Sequence, residues 1–290
     1  MQAATRRRLA IAGLTAPAYL WLAVAIFLPL SAMLYFSFLS APPIGGREAH
    51  FTFENYVDFF TKSIYWFNAQ RSLVLGLHVT LGCLLIGYPA ALMLAKHVRG
   101  RWREALFLLV ILPFWSNALV RTFSWTMVLR DDGPILGLIN PLLPEGMQID
   151  ILFTYPAIVI GLIHAYLPYA ILTIYISLQA VDDSLIEAAR SLGASRLQAF
   201  RKVTLPLSIP GVLAAVFLIF VPVIGSFMEP RILGGKDAIM LGPIIENQFI
   251  TAFNWPLGSA LSFVMLAIVL LIMAAGSPVL RKHLGGGGPV

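Results

Sequence analysis

Residues Ile151–Val181 read ILFTYPAIVIGLIHAYLPYAILTIYISLQAV, Asp182–Lys202 read DDSLIEAARSLGASRLQAFRK, and Val203–Met228 read VTLPLSIPGVLAAVFLIFVPVIGSFM. The first and third blocks hold no Asp, Glu, Lys or Arg, whereas the block between them carries four basic and three acidic side chains. A helix needs ~20 mostly apolar residues to cross a ~30 Å hydrocarbon layer, and each outer block is long enough. The stretch therefore reads as two membrane spans joined by a charged loop. Working outward, Leu9–Leu39, Ser72–Ala95 and Asn247–Leu280 are equally free of those charges, and Ala105–Leu129 contains only Arg121. The expected fold class is all-α integral membrane, one transmembrane domain over residues 1–290. Its six transmembrane helices fall near residues 9–39, 72–96, 105–129, 151–180, 206–228 and 252–280. Windows longer than one crossing must include tilted helix or loop at their ends.

Composition agrees with this reading. Hydrophobic residues make up 59% of the chain and charged residues 12%, against ~45–50% and ~25% in soluble domains. The net charge of +6 is too scattered among apolar runs to form a nucleic-acid face, so no nucleic-acid partner is expected. The lone Cys83 excludes a disulfide framework and a cysteine metal site. Arg6, Arg7 and Arg8 before an apolar run resemble the start of a signal peptide, but the run is far longer than a signal core and lacks a well-placed small-residue cleavage site. It reads as a retained helix. Placing both termini, the turn at 96–104 and the loop at 182–202 on one side gathers 13 of the 20 Lys and Arg there, and ten of the 14 acids fall opposite. The positive-inside rule makes that side cytoplasmic. The Gly285–Gly288 run reads as a flexible tail without function.

The loop between spans four and five carries its own helical signal. Ser184 and Glu187 have capping-box spacing, which predicts a helix starting there and running to about residue 200. Leu185, Ala188, Ala189, Leu192, Leu197 and Phe200 supply an apolar stripe, and Pro206 is expected to end or bend the helix. The small residues Ala188, Ala189, Gly193 and Ala194 would allow close approach to another protein's groove. Periodicity alone serves equally well for an amphipathic helix lying on anionic membrane lipid.

Glu187-Ala188-Ala189, Gly193, Val203 and Leu205-Pro206 together resemble the cytoplasmic signature of permease subunits of ATP-binding-cassette importers, with Val203 where Ile is more usual. The resemblance implies a coupling helix over about residues 184–200, in which Glu187, Ala188, Ala189, Gly193 and Ala194 engage a cleft of an ATPase. It also implies the partners: a second, similar permease forming a heterodimer, two ATPase subunits, a periplasmic substrate-binding protein, and a bacterial inner membrane around the whole. No cofactor is expected in this chain, since ATP and Mg would belong to the ATPase. Leu112-Pro113-Phe114-Trp115-Ser116-Asn117, Val120-Arg121-Thr122-Phe123-Ser124-Trp125, Leu233-Gly234-Gly235 and Asn254–Ser262 look like the polyamine (spermidine and putrescine) branch. The chain departs from that branch at Gly225-Ser226-Phe227, where Gly-Glu-Phe is common; its acid stands at Glu229.

Candidate pathway residues follow from charge and aromaticity within the spans. Phe114, Asn117, Arg121 and Trp125 follow i, i+3, i+7 and i+11 and so share one helical face, with Arg121 in the outer third of span three. Arg121 is read either as a structural tie to carbonyls or to an acid such as Glu229, or as a substrate contact. Trp115 and Trp125 could offer cation–π attraction, and Glu229 a carboxylate at the cavity mouth. His164 reads as a hydrogen-bonded packing residue. No catalytic residues, metal ligands or phosphate-binding loop are evident, since Gly234-Gly235-Lys236 lacks the first glycine and the hydroxyl residue of such a loop. An ion-coupled secondary transporter would call for acids buried mid-span or inverted repeats, which the sequence does not display. Beside a polyamine, an opine, amino acid or other small organic ion remains open as the solute.

Overall fold

The computed structural model describes the backbone of residues 2–42, 48–144 and 147–284, and side chains over 13–42, 48–144 and 147–276. The Gly285–Gly288 tail and the side chains of Arg6, Arg7 and Arg8 lie outside the described residues. The described chain is helical, with one isolated β-bridge between Leu39 and Phe51. A bilayer leaves no water for backbone N–H and C=O groups, so the apolar blocks satisfy them within helices. Five helices are long and apolar enough to cross a membrane, and a bent helix pair makes the sixth candidate.

Two compact units divide the chain. One comprises residues 1–63 and 245–267. Its first helix, α1 (Gln2–Ser37), ends beside α2 (Glu54–Thr61). The last carbonyls of α1 have no partners within the helix. Asn55 supplies one for the final residue, its Nδ2 donating to the Ser37 carbonyl at 3.0 Å, and also bonds the Leu39 carbonyl just beyond the helix at 2.9 Å. Phe38 packs on Phe53 and Tyr56 with ring centroids 5.4 and 5.3 Å apart. Trp21 and Phe27 stay exposed on α1, as expected of a span that meets lipid or another subunit.

The second unit comprises residues 64–244 and 268–290. It holds α3 (Ser63–Leu92), α4 (Arg101–Ile111), α5 (Ala118–Val128), α6 (Tyr155–Gln179), α7 (Asp183–Ser191), α8 (Arg196–Ala199), α9 (Leu205–Ile224) and α10 (Met228–Leu233). Then come α11 (Leu241–Ile250) and α12 (Trp255–Leu284), which each cross the division between units. The core forms where α3, α6 and α9 meet, around Leu75, Val79, Leu162, Ile174, Leu178 and Ile219. Small residues let backbones approach there. A Cβ at Gly87 would stand 2.9 Å from the Ala170 Cβ, and one at Gly211 would collide with the Ser177 side chain. Polar links complete the contact: Tyr88 Oη and Ser208 Oγ lie 2.8 Å apart, and the Gly211 N–H donates to Ser177 Oγ at 3.3 Å.

Three local expectations are corrected. The third apolar window is not one straight helix: α4 passes through a 3-10 turn at Leu112–Trp115 and α5 leaves at 99°. Pro113 disrupts regular helix, and Asn117 starts a new one, its Oδ1 accepting the Leu119 N–H at 2.8 Å. Phe114, Asn117, Arg121 and Trp125 therefore do not form one face of a continuous helix. The helix of the charged loop starts at Asp183, capped by Asp182 rather than Ser184, and stops at Ser191. The capping box occurs later, at Ser195 and Gln198. Nor does Pro206 end a helix. A π-helical turn at Phe200–Thr204 runs into α9, so the widened turn accommodates the missing proline donor and the span continues from Arg196 to Ile224.

Candidate coupling helix and pathway residues

The loop between α6 and α9 is built from two capped pieces. Asp182 Oδ1 accepts the Ser184 N–H at 2.9 Å, and an anion there also complements the positive end of the helix. That hydrogen bond holds the Asp182 carboxyl below its ordinary pKa. At the other end Gly193 adopts φ +87, a left-handed conformation suited to glycine. The Ala194 N–H donates to the Ala189 carbonyl at 3.1 Å and the Gly193 N–H to the Arg190 carbonyl at 3.0 Å, which together make a Schellman ending. The chain then turns into α8, where Ser195 N–H donates to Gln198 Oε1 at 2.8 Å.

This geometry decides what α7 presents. Glu187, Ala188 and Gly193 are exposed, Ala189 and Ala194 half-buried. A Cβ at Gly193 would meet nothing within 4 Å. Leu185, Ala188 and Leu192 recur at i, i+3 and i+7, giving one exposed apolar edge on which Leu192 is 90% accessible. Leu197 and Phe200, expected on the same stripe, belong to the separate segment beyond the break. Beside α7 lies a groove of ≈630 Å³ whose lining includes Glu187, Arg190, Arg196 and Lys96.

Lys96 was not singled out by the sequence, where it counts only toward orientation. Its Nζ donates to the Val181 carbonyl and to Asp183 Oδ1, both at 2.6 Å. No local spacing could announce a contact with a residue so far along the chain.

The pathway candidates are only partly brought together. Arg121 Nη1 donates to the Pro113 carbonyl at 3.0 Å, closing across the bend between α4 and α5. Trp125 Nε1 donates to His164 Nδ1 at 3.2 Å, which requires that nitrogen unprotonated and makes His164 a packing partner of α5. Arg121, Trp125 and His164 line one cavity of ≈410 Å³, whereas Trp115, Asn117 and Glu229 do not. Trp115 is 90% exposed. Asn117 serves as a helix cap. Glu229 stands on α10, which packs against α5. Burial raises its carboxyl pKa, opposed by its own backbone N–H and by the Arg121 charge. Tyr166, near Glu229, and Tyr169, edge-to-face with Phe114 at a ring-centroid distance of 4.7 Å, extend the aromatic surroundings.

Multiple spans with an exposed capped helix between the fourth and fifth define a multi-pass membrane protein that presents a short helix outside its spans. Residues 87–284 match the family described as the binding-protein-dependent transport system inner membrane component, and the chain belongs to that family. It is a multi-pass permease subunit of an ATP-binding-cassette importer, not an enzyme. The spermidine/putrescine transport system permease protein PotB of Haemophilus influenzae is 34% identical over 269 residues, covering 90% of this chain and 92% of that protein. PotB of Escherichia coli K12 is 34% identical over 265 residues, covering 90% and 96%. A bacterial ABC transporter involved in the import of the acidic polysaccharide alginate has a chain of the same fold, with a TM-score of 0.77, 16% identity, and coverage of 97% of this chain and 98% of that one.

Proposed function

We propose that this chain forms half of the translocation pathway of a polyamine importer, and that α7 with Gly193 is its coupling helix. The carrying observation is the exposed Glu187-Ala188-Ala189 helix ending in an unobstructed left-handed glycine. Such a surface suits a close-fitting cleft in a soluble partner. Its Schellman ending presents Gly193 and Leu192 at the exposed tip.

In this reading a second, paralogous permease completes the pathway, two ATPase subunits hold ATP and Mg, and a periplasmic protein delivers the solute. Both termini lie in the cytoplasm, in agreement with the distribution of Lys and Arg. ATP binding closes the ATPases, α7 carries the movement into the spans, and hydrolysis resets them. Each nucleotide state must make different contacts with α7, since a ligand shifts an equilibrium only through differential affinity. The names of the 34%-identical relatives support a polyamine. Glu229 suits attraction of a cation near the outer end of α9, with Trp115 and Trp125 as aromatic contacts. Arg121, bonded to the Pro113 carbonyl, holds the bend.

A ligand panel against the cognate binding protein tests the solute. Spermidine and putrescine are expected to raise its melting temperature. Stabilisation by anions alone would replace the polyamine with another solute while leaving the importer reading intact.

A further inference from the structure

The contacts of α3 point to a mechanical role that its position in the core does not by itself require. At its inner end, Lys96 lies in the π-helical turn Met93–His97 that continues α3. Its side chain is only 11% exposed, and both of its short bonds end on the α6–α7 junction: one on the Val181 carbonyl, one on Asp183 in the first turn of α7. At the outer end, Arg71 Nη2 lies 3.5 Å from Asp237 Oδ1, and Asp237 Oδ2 accepts the N–H of Tyr155, the first residue of α6, at 3.1 Å. His78 Nδ1 and Tyr155 Oη are 2.8 Å apart. Thus α3 and α6 are tied at both ends and interlocked between them by the Gly87–Ala170 contact.

A nearly buried ammonium must keep its hydrogen-bond acceptors, because leaving it without them costs more than an exposed pair would return. We propose that Lys96 is a positioning residue that fastens the coupling helix to the α3–α6 pair, so that a displacement of α7 moves both spans as one body. Without Lys96, α7 would pull on α6 through its peptide link, and at the inner end nothing would pass that pull directly to α3, which would follow only through its outer-end ties and the Gly87–Ala170 contact. The inference rests on the proposed role of α7.

The test uses the complete importer, reconstituted with its partner permease, ATPase and binding protein. Lys96→Met is expected to retain the ATPase and its basal hydrolysis, while stimulation by loaded binding protein and solute moved per ATP both fall at least fivefold. Lys96→Arg should restore most of that ratio, since a guanidinium reaches two oxygens. Asp183→Ala should lose an intermediate amount, because the Val181 carbonyl still accepts. Wild-type solute per ATP in Lys96→Met overturns the proposal, as does an equal loss of basal and stimulated hydrolysis, which would report damaged folding. Should Lys96→Met fail to reach the membrane, Asp183→Ala decides, and an unchanged ratio there is equally fatal. An ATPase that never associates with the unsubstituted chain would instead bring down the coupling role of α7, and this inference with it.

Discussion

Gly193 and Asp182 carry the structure of α7 from opposite ends, and each makes a distinct prediction. A Cβ at Gly193 has room in this chain but must adopt a left-handed conformation, which costs about 1–2 kcal/mol for most residues. Gly193→Asn, which tolerates that region, is expected to keep ATP-driven uptake. Gly193→Leu should abolish uptake with membrane levels unchanged on an immunoblot, because its bulk occupies the proposed docking surface. The Asp182 cap makes a pH prediction. Its carboxyl is held low by the Ser184 N–H, so the cap contributes above the unfolded pKa of ~3.9 and fades as pH falls through the lower folded value. Hydrogen exchange of the α7 amides, corrected for intrinsic rates, should therefore be steady from pH 8 to pH 5 and faster below about pH 4. In Asp182→Ala that acid step should vanish and protection should be lower throughout.

Elements were legible in the sequence to the extent that hydrophobicity alone determines them. The apolar block Tyr155–Gln179 became one helix because nothing in it interrupts i to i−4 bonding except Pro168, which the span tolerates. The bend after α4 was not legible in the same way. Pro113 and Asn117 are each ordinary in a membrane window, and only their combination, with Arg121 closing onto the Pro113 carbonyl, produces two helices at 99°. Ser184 misled because Asp182 already offered a charged cap two residues earlier, and Gly193 divided a stripe that periodicity alone would continue. Asn117→Ala should cost about 1 kcal/mol through loss of the α5 cap, seen as a melting temperature a few degrees lower by fluorescence-detected size exclusion. Gly211→Leu should cost more, at least about 1–3 kcal/mol from overpacking, because its Cβ would enter the space of Ser177 between α6 and α9. A melting temperature unchanged by Gly211→Leu would count against the close packing of that pair.

For the molecule as a whole, membership of the permease family makes this a transport subunit and not an enzyme, and the exposed α7 is the surface through which we propose that another protein moves it. What the chain lacks on its own surface is a cover for Leu185, Ala188 and Leu192. The pair Lys96–Asp183 could be found only in three dimensions, since its members are distant in sequence and each is unremarkable where it stands. The direct measurement exploits the single Cys83, which is buried and so offers no competing thiol. Leu192→Cys is treated with a membrane-impermeant maleimide in intact spheroplasts, in inverted vesicles stripped of ATPase, and in vesicles with the ATPase rebound. Labelling is expected only in the stripped inverted vesicles, with protection on rebinding. Labelling from the outside, or equal labelling with and without the ATPase, would contradict the account.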